Sequence, residues 1–169
     1  MELFKAIKTR YSVRAYKKDL VPEDKLNRVL EAVRLAPSAH NSQDWKFVLV
    51  KDEAKRKALA KAANNQEFVG EAPIVVVAVS LNPDAIMSCE VPRYAVDLGI
   101  ALEHLALSAV SEGLGTCWIG AFSQTEVKKI LNIPDNFKVA ALMPLGFPAD
   151  SPKAKNRKEI KEIVSYDAF

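Results

Sequence analysis

The long apolar stretch between Tyr94 and Gly120 constrains this 169-residue chain more than any other feature of its sequence. From Ala95 to Val110 the stretch is apolar on most of its helical circumference, and a helix of that kind is normally buried. Its apolar side chains fall on two neighbouring faces: Leu98, Leu102, Leu105 and Ala109 on one, and Val96, Ile100, Leu107 and Val110 on the next. Either the rest of one domain wraps this helix, or the helix meets its own copy in a dimer.

A narrow polar stripe runs along the same helix, so we do not expect the helix to cross a bilayer. The stripe consists of Asp97, His104, Ser108 and Ser111. A hydrolase triad is one interpretation, but Asp97 lies two turns from His104, which is too far for a hydrogen bond within one helix. The favoured interpretation is a satisfied polar seam between packed helices. Gly113 is placed to end the helix, and a short β-like run from Thr116 to Ile119 comes after it.

Length and composition indicate one cytoplasmic globular domain over residues 1–169, because the apolar fraction is 49% and the start of the chain does not resemble a signal peptide. The net charge of +3 is mild and the lysines are not gathered in one band, so we expect no nucleic-acid partner. Cys89 and Cys117 form no CxxC motif, which favours two reduced, mostly buried thiols over a redox pair. Two histidines and two scattered cysteines give no metal-ligand spacing.

The remaining periodicities predict four strands interleaved with five or six helices, as in an α+β sheet flanked by helices. Helices are predicted over residues 2–9, 22–36, 53–63, 94–110 and 123–131, with a further short helix at Ile160–Val164. Strands are predicted over residues 46–50, 74–79, 116–119 and 138–147. The run 74–79 is continuously β-branched or small, so it is expected to be the central strand.

Two segments carry side chains suited to a ligand. In the first, Arg10, Ser12 and Arg14 alternate with apolar residues, so an extended chain would place two guanidiniums and a hydroxyl on one side, as a phosphate requires. The second is the loop 36–45, whose small side chains and carboxamides suit a flat heterocycle with N–H and C=O groups. The alternatives are a solvent-facing edge strand for the first segment and a self-capping connection for the second.

These segments and two others, in this order, resemble the FMN-dependent nitroreductases. The matching blocks are residues 10–14, 36–45, 97–99 with 113–120, and 145–148 with Arg157 beyond. Each block is weak alone, but together they are specific and span nearly the whole chain. The resemblance implies an α+β sandwich with a mainly antiparallel central sheet flanked by helices. It also implies an intertwined homodimer that holds two FMN molecules at the subunit interface.

The resemblance further implies a set of cofactor-binding residues. One subunit would supply Arg10, Tyr11, Ser12 and Arg14, with Arg10 and Ser12 spanning the ring and the phosphate. The other subunit would supply Pro37, Ser38, Ala39 and Asn41. Trp118, Ile119, Gly120 and Ala121 would pass the flavin ring with backbone N–H groups, and Lys155 and Arg157 would close on the phosphate. Gln43 and Asn65 complete the predicted set.

In such enzymes hydride passes from NADH or NADPH to flavin N5 and then to a nitroaromatic, quinone or similar small acceptor by ping-pong exchange. No side chain need act as an acid or base, and Arg10 is the candidate for stabilising the reduced flavin. The alternatives are an FMN-binding sensor or carrier without turnover, and a same-fold enzyme of dehalogenation or flavin breakdown. Two departures concern the acceptor: Asp44 replaces a usual proline, and Leu81–Pro92 is too short for the helical roof of larger members.

Overall fold

The computed structural model describes residues 2–169, in which six α-helices alternate with four β-strands. The helices are α1 (Leu3–Thr9), α2 (Glu23–Arg34), α3 (Glu53–Ala62), α4 (Glu67–Glu71), α5 (Arg93–Ser111) and α6 (Gln124–Leu131). The strands are β1 (Trp45–Val50), β2 (Ile74–Ser80), β3 (Gly115–Thr116) and β4 (Lys138–Gly146). Short 3₁₀ turns occur at Ala39–Asn41 and Ile160–Glu162.

The strands form one antiparallel sheet in the order β1-β2-β4-β3, which confirms the predicted α+β class. All seven residues of β2 are buried, so this strand is central as predicted. Helices α2 and α5 cover one face of the sheet, and α3, α4 and α6 cover the other. The core therefore has two layers, one on each side of β2 and β4.

Several element boundaries differ from the sequence prediction. Pro22 precedes α2 as its N-cap, with an extended ψ of 141°, instead of lying inside the helix. The predicted strand 116–119 is reduced to β3 and a single bridge from Ile119 to Leu142, because the chain leaves β4 at Cys117 and rejoins it at Ile119. Helix α4 was not predicted, since five residues are too few to show a period. The predicted helix at Ile160–Val164 is only a 3₁₀ turn.

The two apolar faces of α5 have different environments. Leu98, Leu102, Leu105 and Ala109 are buried inside this single chain, so the first face belongs to its own core. On the second face Val96 is 38% exposed, and the other three residues are only half-buried. The first face is therefore covered by the chain's own domain, and only the second face is left partly uncovered.

By length and composition alone, α5 could cross a membrane, with 19 residues and a mean hydropathy of 1.2. Our prediction that it is too polar to do so is therefore wrong on that measure. The packing nevertheless identifies a core helix, because Leu102 and Leu105 lie among side chains of α2, β2 and β4.

The polar stripe of α5 is a satisfied seam, as predicted. The His104 ring nitrogen Nδ1 lies 3.2 Å from the Ala32 carbonyl oxygen of α2, and the Ser108 hydroxyl donates to the Arg28 carbonyl at 3.4 Å. The Asp97 carboxylate accepts the Ala39 N–H at 3.0 Å. These groups therefore hold helices and loops together, and the triad interpretation has no geometric basis.

The two cysteines are free, as predicted, but only Cys117 is buried. Cys89 is exposed, which corrects the prediction of two mostly buried thiols. It lies in the turn of the 85–92 hairpin, between Met87 and Val91, whose backbones are hydrogen-bonded at 3.0 Å. Because this turn joins two short paired segments outside the two core layers, the Cys89 side chain is left exposed.

Leu105→Ala should lower the free energy of unfolding by about 2–5 kcal/mol, because it removes a fully buried side chain from the centre of α5. Leu20→Ala is the matched control; Leu20 is 83% exposed, and its loss should change stability by less than about 0.5 kcal/mol. Urea unfolding of the apoprotein at one fixed protein concentration measures both. Equal effects of the two substitutions would contradict the assignment of α5 to the core.

Candidate functional site

The extended segment after α1 lies beside the end of the sheet. Ser12 forms a parallel bridge with Thr116, and the Val13 N–H donates to the Thr116 carbonyl at 2.9 Å. Gly115 makes this approach possible, because a Cβ there would collide with the Val13 side chain. The sequence alternation is confirmed at Val13, which is fully buried, while Arg14 is exposed.

Asp150 fixes the position of this segment, and sequence reasoning missed it. The Tyr11 hydroxyl donates to the Asp150 carbonyl at 2.9 Å and lies 3.2 Å from its carboxylate, while the Arg14 N–H donates to the same carboxylate at 2.9 Å. Burial and the adjacent Asp150 charge raise the pKa of Tyr11, so its hydroxyl stays protonated as a donor. The only sequence signal was one acidic residue in the otherwise basic stretch after β4.

Four cationic side chains lie on or near the segment that contains Ser12, and none of them forms a side-chain ion pair within residues 2–169. The Lys155 Nζ donates to the Arg10 carbonyl, and the pKa of Lys155 is lowered by burial and then by the Arg10 and Arg157 charges. Burial raises the pKa of the Cys117 thiol; the nearby Arg14 and Arg10 charges and an interaction with Ser12 oppose this shift, and the Asp150 charge adds to it. Within residues 2–169, no carboxylate lies within 4.0 Å of the charged nitrogens of these four side chains. The nearby Asp150 carboxylate is bound by the Tyr11 hydroxyl and the Arg14 backbone N–H and not by these charged side chains, so the donor set remains suited to a phosphate.

The segment Trp118–Ala121 lies next to the turn that joins α3 and α4. The Gln66 amide donates to the Ala121 carbonyl at 3.5 Å, which brings the predicted Asn65 close to this segment. Trp118 is 46% exposed, and Gly120 and Ala121 are exposed. The Ile119 N–H is already used, because it donates to the Leu142 carbonyl at 2.9 Å. Any backbone N–H contact with the edge of a ligand ring must therefore come from the residues next to Ile119.

The loop Ser38–Gln43, with Pro37 directly before it, carries the remaining predicted residues, and it lies elsewhere in the chain. Its Ala39 N–H binds Asp97 near the beginning of α5, whereas Ser12 and Thr116 meet just beyond the end of that helix. The helical rise from Asp97 to Ser111 is about 21 Å. Within one chain the predicted residues therefore fall into two groups near opposite ends of α5, which we call half-sites because the resemblance predicts that both contact one ligand. Arg10, Tyr11, Ser12, Arg14, Asn65, Trp118, Ile119, Gly120, Ala121, Lys155 and Arg157 belong to one, and Pro37, Ser38, Ala39, Asn41 and Gln43 to the other.

Comparison with known proteins gives the class of this fold and site. The model of the nitroreductase family matches residues 7–82 and 62–147. An NADH dehydrogenase from Thermus thermophilus is 32% identical over 92% of this chain and 91% of its own length. A nitroreductase family protein from Clostridium novyi NT, of known crystal structure, is 38% identical, with a TM-score of 0.84 over 92% of this chain and 89% of that one.

A third similar protein is the NADPH:FMN oxidoreductase of Vibrio harveyi, solved in complex with NAD⁺. It is 29% identical, with a TM-score of 0.90 over 99% of this chain and 77% of that one. The present chain belongs to the nitroreductase family. The predicted enzyme class, an NAD(P)H-dependent flavin oxidoreductase, is confirmed at this level.

Arg157→Ala should raise the pKa of Lys155 toward its usual range, because it removes one of the two like charges that disfavour the ammonium form. Inorganic phosphate should raise the same pKa in the unsubstituted protein. Since the folded-state pKa lies below the usual value of 10.5, the folded state binds fewer protons, and stability from this group rises with pH through that window.

NMR titration of the Lys155 side chain measures this pKa directly. Arg34→Ala is the control, because Arg34 is paired with Glu31 on exposed α2 and should leave Lys155 unaffected. An unchanged Lys155 pKa in Arg157→Ala, with or without phosphate, would show that the four cations do not act as one cluster.

Proposed function

We propose that this protein is an FMN-dependent oxidoreductase that transfers hydride from NADH or NADPH to a small aromatic or quinone-like acceptor. The observation that carries the proposal is the cationic cluster of Arg10, Arg14, Lys155 and Arg157 on and beside the segment that contains Ser12. A single terminal phosphate matches this set, and the sequence has no dinucleotide-binding fingerprint of the G-x-G-x-x-G kind. FMN is thus favoured over FAD.

The side chains bind and orient, and none is arranged to move a proton. Bound FMN would supply two-electron hydride exchange, chemistry that no side chain provides. Lys155 and Arg157 would neutralise the phosphate, while Arg10 would lie toward the ring, where its charge favours added electrons. The hydroxyl of Tyr11 is committed to Asp150, so its role is to hold the segment in place.

The two half-sites support a homodimer in which each FMN contacts both subunits. They lie near opposite ends of α5, whose rise from Asp97 to Ser111 is about 21 Å, so a second copy would bring a Ser38–Gln43 loop to the cationic cluster. Apolar side chains left uncovered on one chain supply a surface for this contact. They include Val96 on α5, and Leu3, Phe4 and Ile7 on α1, which are 47–66% exposed.

The acceptor would enter from a side with little cover. Residues 81–92 form only a short hairpin, in which Ile86 is bridged to Pro92. This hairpin is tied to the loop end through the Leu81 N–H, which donates to the Asp44 carbonyl at 3.0 Å. We infer that the enzyme acts in the cytoplasm on small diffusible acceptors.

The purified protein should be yellow, should release FMN and not FAD on denaturation, and should oxidise NADH or NADPH with a nitroaromatic or quinone. Light scattering should give the mass of a dimer with one FMN per chain. Chromatography of the released chromophore decides the cofactor. Binding of FMN without turnover would favour the sensor or carrier, and a flavin-loaded monomer or a chain that cannot be loaded with FMN would contradict the proposal.

Arg10→Ala should weaken FMN binding and also lower the midpoint potential of the flavin that remains. A charge interaction at this range in a partly buried site contributes on the order of 1–3 kcal/mol. For a two-electron couple this corresponds to a drop of roughly 20–65 mV. The physical reason is that the Arg10 charge stabilises the more negative, reduced form of the ring.

Arg157→Ala is the matched variant for this experiment. If Arg157 contacts only the phosphate, its loss should weaken binding and leave the potential nearly unchanged, because the phosphate charge is the same in both redox states. Potentiometric titration of both FMN-saturated variants beside the unsubstituted protein gives the comparison. Equal potentials in all three proteins would show that Arg10 does not lie near the flavin ring. A shift in Arg157→Ala alone would show that Arg157 lies near the ring and Arg10 near the phosphate.

A further inference from the structure

The loop Ser38–Gln43 has three residues in the left-handed backbone region, which His and Asn tolerate better than Gln. His40, Asn41 and Gln43 have φ angles of 55°, 53° and 52°, in the left-handed region that residues with a Cβ seldom adopt. Hydrogen bonds inside the loop support this shape: the Gln43 N–H donates to the Ser38 hydroxyl at 3.0 Å, and the Asn41 N–H to the Ser38 carbonyl at 2.9 Å. A strained loop persists only where its surroundings hold it.

Both ends of the loop are held by the first turns of α5. At the beginning, the Ala39 N–H donates to the Asp97 carboxylate at 3.0 Å. At the end, Asp44 forms an ion pair with Arg93. Arg93 and Asp97 are four residues apart, so they lie on the same side of α5, one turn from each other. The two contacts therefore bracket the loop from one rigid element.

The two α5 side chains are withdrawn from solvent, which makes their contacts stronger than surface pairs. Asp97 is only 5% exposed, and it is the one charged residue among the buried polar side chains of residues 2–169. The Arg93 side chain is 18% exposed and that of Asp44 35%. Because solvent screens such partly buried pairs less than exposed ones, they can fix the loop position.

We propose that Arg93 and Asp97 are positioning residues that hold the Ser38–Gln43 loop in its ligand-ready conformation. This proposal rests on the proposed function, in which the loop contacts FMN across the dimer. Holding the loop before binding removes the ordering cost that a free loop would add to the binding free energy. Asp44 takes part only through Arg93, so the two residues act as one unit.

The first experiment tests the loop without any ligand. In Asp97→Ala apoprotein, amide hydrogen exchange at residues 39–43 should accelerate by at least about tenfold, while exchange in β2 stays unchanged. Asp97→Asn should restore most of the protection, because its amide oxygen can still accept the Ala39 N–H. Glu103→Ala, an exposed site on the same helix, is the control. Unchanged exchange in the loop, or equal acceleration in β2, would overturn the proposal.

The second experiment is a double-mutant cycle on FMN affinity. Asp44→Asn and Arg93→Gln should each raise the FMN dissociation constant by about 5- to 30-fold, and the double variant should be no weaker than the weaker single variant. Glu31→Gln with Arg34→Gln, an exposed ion pair on α2, is the matched control cycle and should leave the affinity unchanged. Fluorescence quenching of FMN on binding measures the affinity.

The outcomes separate this proposal from the proposed function. If the unsubstituted protein binds no FMN, the proposed function fails, whereas the exchange experiment still decides whether α5 holds the loop. If exchange accelerates but FMN affinity is unchanged, the loop is held by α5 without serving the ligand, and the positioning role is refuted. Additive losses in the cycle would show that Asp44 and Arg93 act separately, which is equally incompatible with the proposal.

Discussion

The burial of one face of α5 against the central strands is the constraint on which the rest of this structure depends. Leu98, Leu102 and Leu105 pack among residues of α2, β2 and β4, and all three are at most 1% exposed. Fixing α5 in this way also fixes the path of the chain beyond its C-terminal end. Gly113 ends the helix in the left-handed conformation at φ 76°, so the chain turns directly into β3 and meets the segment at Ser12.

The same helix separates the segment that contains Ser12 from the Ser38–Gln43 loop. The segment with Arg10, Ser12 and Arg14 meets Thr116 beyond its C-terminal end. The loop with carboxamide side chains lies at its N-terminal end, bound to Asp97. In the proposed function, a ligand that contacts both groups of residues must lie between two chains. Dimer assembly and ligand binding are then coupled.

Asp44 stands where the resemblance leads us to expect a proline. A proline would restrict the backbone at this position by itself. An aspartate does not, but here its carboxylate pairs with Arg93 and its carbonyl accepts the Leu81 N–H at 3.0 Å. The connection between the loop, the 85–92 hairpin and α5 is therefore made by polar contacts, whose strength depends on burial and on salt concentration.

The sequence by itself determined the elements whose residues repeat with a clear period. The buried strand β2, the helix α5 and the α+β class come from continuous β-branched or two-faced apolar patterns. The family, and with it the mainly antiparallel sheet, came from motifs in a fixed order. The set of donors suited to a phosphate at Arg10, Ser12 and Arg14 could also be predicted from the sequence, since alternation in an extended chain is a local property. The five-residue α4 and the shortening of β3 were not, because neither has enough residues to show a period.

Only the tertiary structure decided which face of α5 belongs to its own core and which remains uncovered, because both faces are equally apolar in sequence. It also decided the partners of residues distant in the chain: Asp150 with Tyr11, Gln66 with Ala121, and Arg93 with Asp44. These contacts join positions from 49 to 139 residues apart, and no local pattern encodes such a distance. The physical reason is that a side chain's period reports the face on which it lies, while its partner depends on how the elements pack.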